Sequence, residues 1–196
     1  MRSMSTDPEL LRRARAGDRE AFAALTTPLE ERLTRAATLL TDASEAPDLV
    51  QEALTRAFSQ LERYEGRARF STWVYGILLN LSRQHRRKKR PAAGAEVVEQ
   101  APAKRGQTRG VLSSVLRREL AERMELAIGS LPEVFREAFV LHYVEGLPYA
   151  EIAQLCDERA GTLRTRAHRA RALLRAELGS VVDTTWVREE RADPGT

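Results

Sequence analysis

Leu163, Ala167, Ala170 and Leu174 recur at steps of four, three and four, the spacing that lines one face of an α-helix. Around the rest of that helix stand Arg164, Arg166, His168, Arg169, Arg171 and Arg175, and no carboxylate occurs from Arg159 to Ala176. Just upstream, Pro148 to Cys156 reads as a shorter helix whose Ile152 and Leu155 would pack on the apolar face of the first. A short helix, a tight turn and a longer helix have helix-turn-helix proportions. So cationic a surface repels itself unless a polyanion faces it, and DNA phosphates supply one. Residues near the start of the longer helix can then reach base edges in the major groove. The unbroken charge argues against a merely solvated basic helix.

The rest of the chain is helical by the same reasoning. β-branched residues are sparse, no run alternates convincingly between apolar and polar, and Ala, Leu, Arg and Glu dominate. Asp7-Pro8 opens a first helix that stops near Gly17, and Asp18 caps a second that runs to about Leu40. Pro28 is expected to break or bend that second helix. Ala46-Pro47 opens a third, to about Glu62, with Val50, Leu54, Ala57, Phe58 and Leu61 on its apolar face. Ser71 can cap a fourth, from Thr72 to about Lys89. These make a helical domain over residues 7–90. Residues 91–110 turn to Pro, Ala, Gly, Gln and Lys and read as a flexible linker. A second domain over 111–180 holds helices at about 111–128, 132–143 and 148–156, and a last one to about 178. A polar tail, 181–196, follows. The fold class expected is all-α: two small helical domains joined by a flexible linker, the C-terminal one containing the helix-turn-helix.

Composition excludes several functions. The net charge is only +4 and the pI about 9.6, so what matters is where the cations sit. The single cysteine, Cys156, allows no intramolecular disulfide or multi-cysteine metal site; it fits a reducing cytosol and reads as a buried structural thiol. No secretory leader is visible and no stretch approaches the roughly 20 apolar residues that span a bilayer. A cytoplasmic protein without membrane insertion is expected. No clustered His, Cys and carboxylate constellation and no phosphate loop appears, so no catalytic residue, metal or cofactor is expected. The three histidines read as surface or basic-run residues.

Two further surfaces stand out in the first domain. The 72–89 helix is apolar and aromatic at its start and ends in six cations, Arg83, Arg86, Arg87, Lys88, Lys89 and Arg90. The helix dipole favours basic residues there, but the run exceeds what capping needs. With Tyr64, Phe70, Trp73 and Tyr75 nearby it resembles a single-strand surface, on which rings stack bases and cations follow the backbone. Trp73 and Tyr75 could equally be core. The preceding helix has the opposite sign: Asp48, Gln51, Glu52 and Thr55 share a polar face, with Asp42 and Glu45 just ahead. That face suits solvent or a protein partner, not DNA.

Four segments together resemble the extracytoplasmic-function (ECF) sigma factors of bacterial RNA polymerase. Asp48-Leu49-Val50-Gln51-Glu52-Ala53 with Arg56-Ala57-Phe58 resembles the family's DLVQE…RAF helix, and Arg69-Phe70-Ser71-Thr72-Trp73-Val74-Tyr75 with Ile77 and Asn80 its FxTWLYxIAxN stretch. Leu131-Pro132 through Phe135-Arg136-Glu137, with Val144-Glu145-Gly146-Leu147, and Gly161-Thr162-Leu163-Arg164-Thr165-Arg166 ending His168-Arg169-Ala170-Arg171, resemble its two C-terminal motifs. The resemblance implies that Asp48, Gln51, Glu52 and Thr55 dock on the clamp of the largest polymerase subunit. It implies that Tyr64, Phe70, Thr72, Trp73, Tyr75 and Asn80 hold melted minus-ten bases, while Arg83, Arg86 and Arg87 follow the backbone. Base flipping costs a few kcal/mol, which a pocket and stacking rings offset. Thr162, Arg164, Thr165, Arg166 and Arg169 would read the duplex minus-thirty-five element. An anti-sigma partner is implied as well.

This chain departs from the family at three places. Pro148 stands where a capping Ser is usual. The turn reads Asp157-Glu158-Arg159, with Glu158 in the place of a buried apolar residue, which predicts a looser turn. Gly76 sits inside the minus-ten helix where Arg is common, at a cost of about 1 kcal/mol against Ala. Two rival readings remain at this point. An ordinary dimeric helix-turn-helix regulator accounts for residues 147–178 but leaves the acidic and aromatic-basic helices unexplained. A helical decoy that binds polymerase or a regulator would not need the carboxylate-free helix.

Overall fold

A computed structural model describes residues 7–89 and 112–179, the side chains of 112–118 excepted. The expected linker, Arg90 and the tail from 181 lie outside the described residues.

Sequence-local chemistry sets the first helices. Asp7 Oδ1 accepts the Glu9 amide at 2.9 Å and starts α1, Pro8–Arg15. Gly17, at φ 89°, turns the chain, and Asp18 Oδ1 accepts the Ala21 amide at 3.0 Å to start α2, Arg19–Leu40. The break expected at Pro28 does not occur; α2 runs through it. A mid-helix proline costs about 3 kcal/mol, but Phe22 and Leu25 before it and Leu29 and Leu33 after it are all buried, so both halves are held in line by one core.

Helix α3, Ala46–Ser59, buries Leu49, Val50, Ala53, Leu54 and Ala57, and a 3-10 turn at Leu61–Arg63 ends it. Helix α4, Phe70–Lys89, begins before the expected cap: the Trp73 amide donates to the Arg69 carbonyl at 3.0 Å, so Ser71 lies inside the first turn. Helix α2 packs on α4, and Leu33, Ala36, Ala37 and Leu40 of the one and Val74, Tyr75, Leu78 and Leu79 of the other have no measurable exposure.

The second half comprises α5 (Leu112–Ser130), α6 (Glu133–Phe139), α7 (Tyr149–Cys156) and α8 (Ala160–Leu178). Between α6 and α7, Val140–Val144 widens into a π-helical turn closed by Glu145 N–H to the Val140 carbonyl at 2.9 Å. Sequence periodicity reads this stretch as ordinary helix, yet such single π turns recur at functional positions. His142 is half-buried rather than a surface residue: its ring stacks on Tyr149 at 3.8 Å and its Nδ1 lies 2.9 Å from the Leu147 carbonyl. No strand occurs among the described residues. The two helical halves lie against each other, α4 on α7 and α2 on α5 and the π turn.

Candidate nucleic-acid and protein interfaces

The α8 register follows from burial. Leu163, Ala167, Ala170 and Leu174 are all but inaccessible and face the core with Ile152, which leaves Arg164, Thr165 and Arg169 exposed and Thr162 and Arg166 half-buried. The Thr165 hydroxyl donates back to the Gly161 carbonyl at 3.0 Å, and the Arg164 guanidinium lies 5.5 Å from the Tyr149 ring centre. Leu155 of the preceding helix lies against Gly76 of α4.

The turn is tighter than its sequence suggests. Asp157 adopts the left-handed conformation, φ 53° and ψ 47°, and the Glu158 amide donates to the Ala153 carbonyl at 3.1 Å, the six-to-one bond of a Schellman closure. The looseness inferred from Glu158 is therefore corrected: its carboxylate stays at the surface and binds Arg166 at 2.8 Å. Asp157→Val should destabilise the protein by about 1–2 kcal/mol, because a β-branched residue resists that conformation, whereas Asp157→Gly should not. Thermal melts of the two variants check this, and equal melting temperatures would contradict it.

On α3, Asp48, Gln51, Glu52 and Thr55 are all exposed. Glu52 binds Arg56 at 2.6 Å one turn on, and the Thr55 hydroxyl donates to the Gln51 carbonyl at 2.8 Å. The result is a polar, net-acidic strip on a helix whose other side is anchored in the core.

The aromatic-basic region is more enclosed than its sequence implies. Tyr64, Phe70, Thr72 and Tyr75 are buried, Trp73 is half-buried, and Asn80 and Arg87 are exposed. Tyr64, Phe70 and Trp73 form one aromatic cluster, with ring centres 5.2 to 5.9 Å apart. Thr72 donates to Glu151 and Tyr75 to Glu145, both in the other domain. Burial, then the Glu145 charge, push the Tyr75 phenol far above its ordinary pKa, so it remains a donor. Arg83 grips Glu137 at 2.6 Å, a hydrogen bond that holds its guanidinium protonated, and Arg86 reaches Glu133 at 2.8 Å and Glu137 at 2.7 Å. The candidate strand-holding surface is thus brought together but faces the C-terminal domain. Cys156 lies beside it, its thiol pushed up by burial and only partly drawn back by Arg83 at 3.7 Å. Burial there disfavours the thiolate, the reactive form.

Sequence reasoning missed Glu137, Glu145 and Glu151, and Arg32 and Arg35 opposite Glu145. A signal was there: Glu133 and Glu137 stand four apart on one helix, and Arg83 and Arg86 stand three apart on another.

The sigma-70 region 2 family matches residues 29–91, from mid-α2 to the end of α4, and the sigma-70 region 4 family matches residues 121–174, the second half of α5 to Leu174. The chain is 30% identical over 181 residues to the ECF RNA polymerase sigma-E factor of Escherichia coli K12, covering 87% of this chain and 93% of that one. It belongs to the ECF sigma factors. It is also 32% identical over 181 residues to the ECF sigma factor SigW of Bacillus subtilis 168, covering 86% of this chain and 94% of SigW. Among solved structures it is similar to CnrH in complex with the cytosolic domain of CnrY, with a TM-score of 0.67 at 25% identity over 90% of this chain and 99% of that one. The sigma factor RpoE of Bartonella quintana, solved with the anti-sigma factor NepR, shares the fold, with a TM-score of 0.64 at 24% identity, covering 80% of this chain and 96% of that one. As a sigma factor, the protein works with RNA polymerase in promoter-specific initiation of transcription. No helix among the described residues is long and apolar enough to cross a membrane.

Proposed function

We propose that three surfaces divide the work of this sigma factor. The exposed strip Asp48, Gln51, Glu52 and Thr55 docks on polymerase core. The cluster of Tyr64, Phe70, Thr72, Trp73, Tyr75 and Asn80, with Arg83, Arg86 and Arg87, holds the melted minus-ten strand. Residues Thr162, Arg164, Thr165, Arg166 and Arg169 read the minus-thirty-five duplex. The observation that carries this reading is the separation of charge: an acidic strip open on α3 and an arginine-lined face on α8, with Arg164 and Arg169 exposed, do not suit the same partner. The protein acts as a non-catalytic specificity subunit in the cytoplasm, and an anti-sigma protein holds it in check, a reading supported by the pairing of RpoE with the anti-sigma factor NepR.

In vitro transcription tests the whole. Added to sigma-free core, the protein should start run-off transcripts at a defined site; silence there, with duplex footprinting by the protein alone, would sink the reading. Arg166→Ala tests the α8 assignment. Loss of a base-edge contact costs about 1–3 kcal/mol and relaxes discrimination at that position, so promoter-specific transcripts should fall while core binding holds. An equal fall in core binding would mean the surfaces are misassigned.

A further inference from the structure

The turn of the C-terminal motif carries an acid at the edge of a surface otherwise made of cations. Glu158 is the last carboxylate before α8, and none follows until Glu177. Its Oε1 lies 2.8 Å from Nη2 of Arg166, and the side chains of Glu158 and Arg166 are 34% and 25% exposed. The backbone puts the carboxylate there: Asp157 takes the left-handed conformation, and the Glu158 amide closes the turn on the Ala153 carbonyl. Closure uses the amide, so the Glu158 side chain is not what holds the turn. With Arg159 and Thr162, Glu158 lines one shallow hollow at the start of α8. Thr162, Arg166 and Arg169 follow at steps of four and three and form one row along the helix. Glu158 stands at the head of that row.

An exposed ion pair of this kind contributes little to stability, and a carboxylate beside DNA is repelled by the phosphates. What it supplies is direction. A guanidinium has five N–H donors in a rigid fork. An untethered arginine on a helix swings among many rotamers and meets a phosphate as readily as a base. With Nη2 held by Glu158, the fork of Arg166 has a fixed axis. Its other donors stay available for the two acceptors of a guanine edge. The pair is formally neutral, so its pull on the phosphate backbone is weak.

We infer that Glu158 is a positioning residue for promoter recognition: it anchors Arg166 by one arm, keeps it off the phosphates and aims its remaining donors at a guanine edge of the minus-thirty-five element. This deepens, and rests on, the assignment of Arg166 proposed above.

The test uses the holoenzyme, this chain with polymerase core, and a random-sequence duplex pool whose captured members are sequenced. The upstream element of those fragments reports Arg166, and their downstream element is the internal control. Glu158→Ala lacks the carboxylate and Glu158→Asp has one too short to reach. Each should lower the base preference at one upstream position by about fivefold, the lower end of what one bidentate contact supplies. Glu158→Gln keeps an acceptor at the same reach and should stay within about twofold of the parent. Arg166→Ala should lose the same preference, and adding Glu158→Ala to it should change nothing further, as two residues acting through one contact require. Because the backbone closes the turn, all the variants should keep the parent's helical circular-dichroism signal. A Glu158→Gln loss as large as that of Glu158→Ala would show that charge alone matters and overturn the positioning. So would an unchanged preference in Glu158→Ala where Arg166→Ala loses it, or a loss that extends to the downstream element. Unchanged upstream preference in Arg166→Ala shows instead that the assignment of Arg166 is wrong, and the positioning falls with it.

Discussion

Charge reversal at Asp48 and Glu52 is expected to abolish transcription by this sigma factor while leaving its fold and its duplex-DNA binding intact. Both side chains are exposed on α3, and among the described residues only Glu52 of the two has an ion-pair partner, Arg56, one helical turn away. Such a surface pair contributes about 0.3–0.5 kcal/mol, and losing Asp48 from the first turn of α3 costs about 0.3–1 kcal/mol in dipole interaction. Neither approaches the 5–15 kcal/mol of stability typical of folded domains. At a docked interface the balance differs. A lysine facing a basic partner replaces attraction by repulsion, and disrupting hydrogen-bonded charge pairs costs roughly 2–5 kcal/mol, or about thirtyfold to several thousandfold in affinity. Run-off transcription and core pull-down with the Asp48→Lys/Glu52→Lys protein should both fail, with an unchanged helical circular-dichroism signal. Core binding within threefold of the parent would place the polymerase contact elsewhere.

Phe139→Ala should have the largest effect on stability. Phe139 ends α6 with no exposure, its ring 5.3 Å from that of Tyr143, at the point where α6 meets α8 and the π turn begins. Truncating a buried phenylalanine costs about 3–5 kcal/mol, because the cavity closes only in part. Small domains have little stability to lose, so the C-terminal helices should melt early, by more than about 10 °C. Calorimetry should show the N-terminal transition surviving while specific promoter binding disappears. A shift of only a few degrees would mean that the site collapses around the deletion.

The contrast between what could and could not be read from the residues is physical. Caps, periodic apolar faces and the cationic side of α8 are local, and Asp7, Asp18 and the Leu163–Leu174 face lie where spacing puts them. The course of α2 through Pro28 was not legible, because a local penalty is outweighed by burial contributed from α3 and α4. The π turn at Val140 was hidden for a similar reason. The pairing of Glu145 with Arg32 and of Glu151 with Thr72 spans 113 and 79 positions of sequence, and helical spacing says nothing about which distant face a carboxylate will meet. Tyr75 lies on α4, which packs on α2, and its hydroxyl donates to Glu145, so its burial rests on contacts far apart in sequence. Sequence alone balances Trp73 evenly between core and surface, and it is half-buried.

That half-exposed indole has an optical consequence. The chain holds two tryptophans, Trp73 and Trp186. Trp73 stands 5.2 Å from Tyr64 and 5.9 Å from Phe70, ring centre to ring centre. A nucleobase stacked on its open side would quench its emission. With Trp186 replaced by phenylalanine, strand capture could be followed in real time by intrinsic fluorescence, without an attached dye.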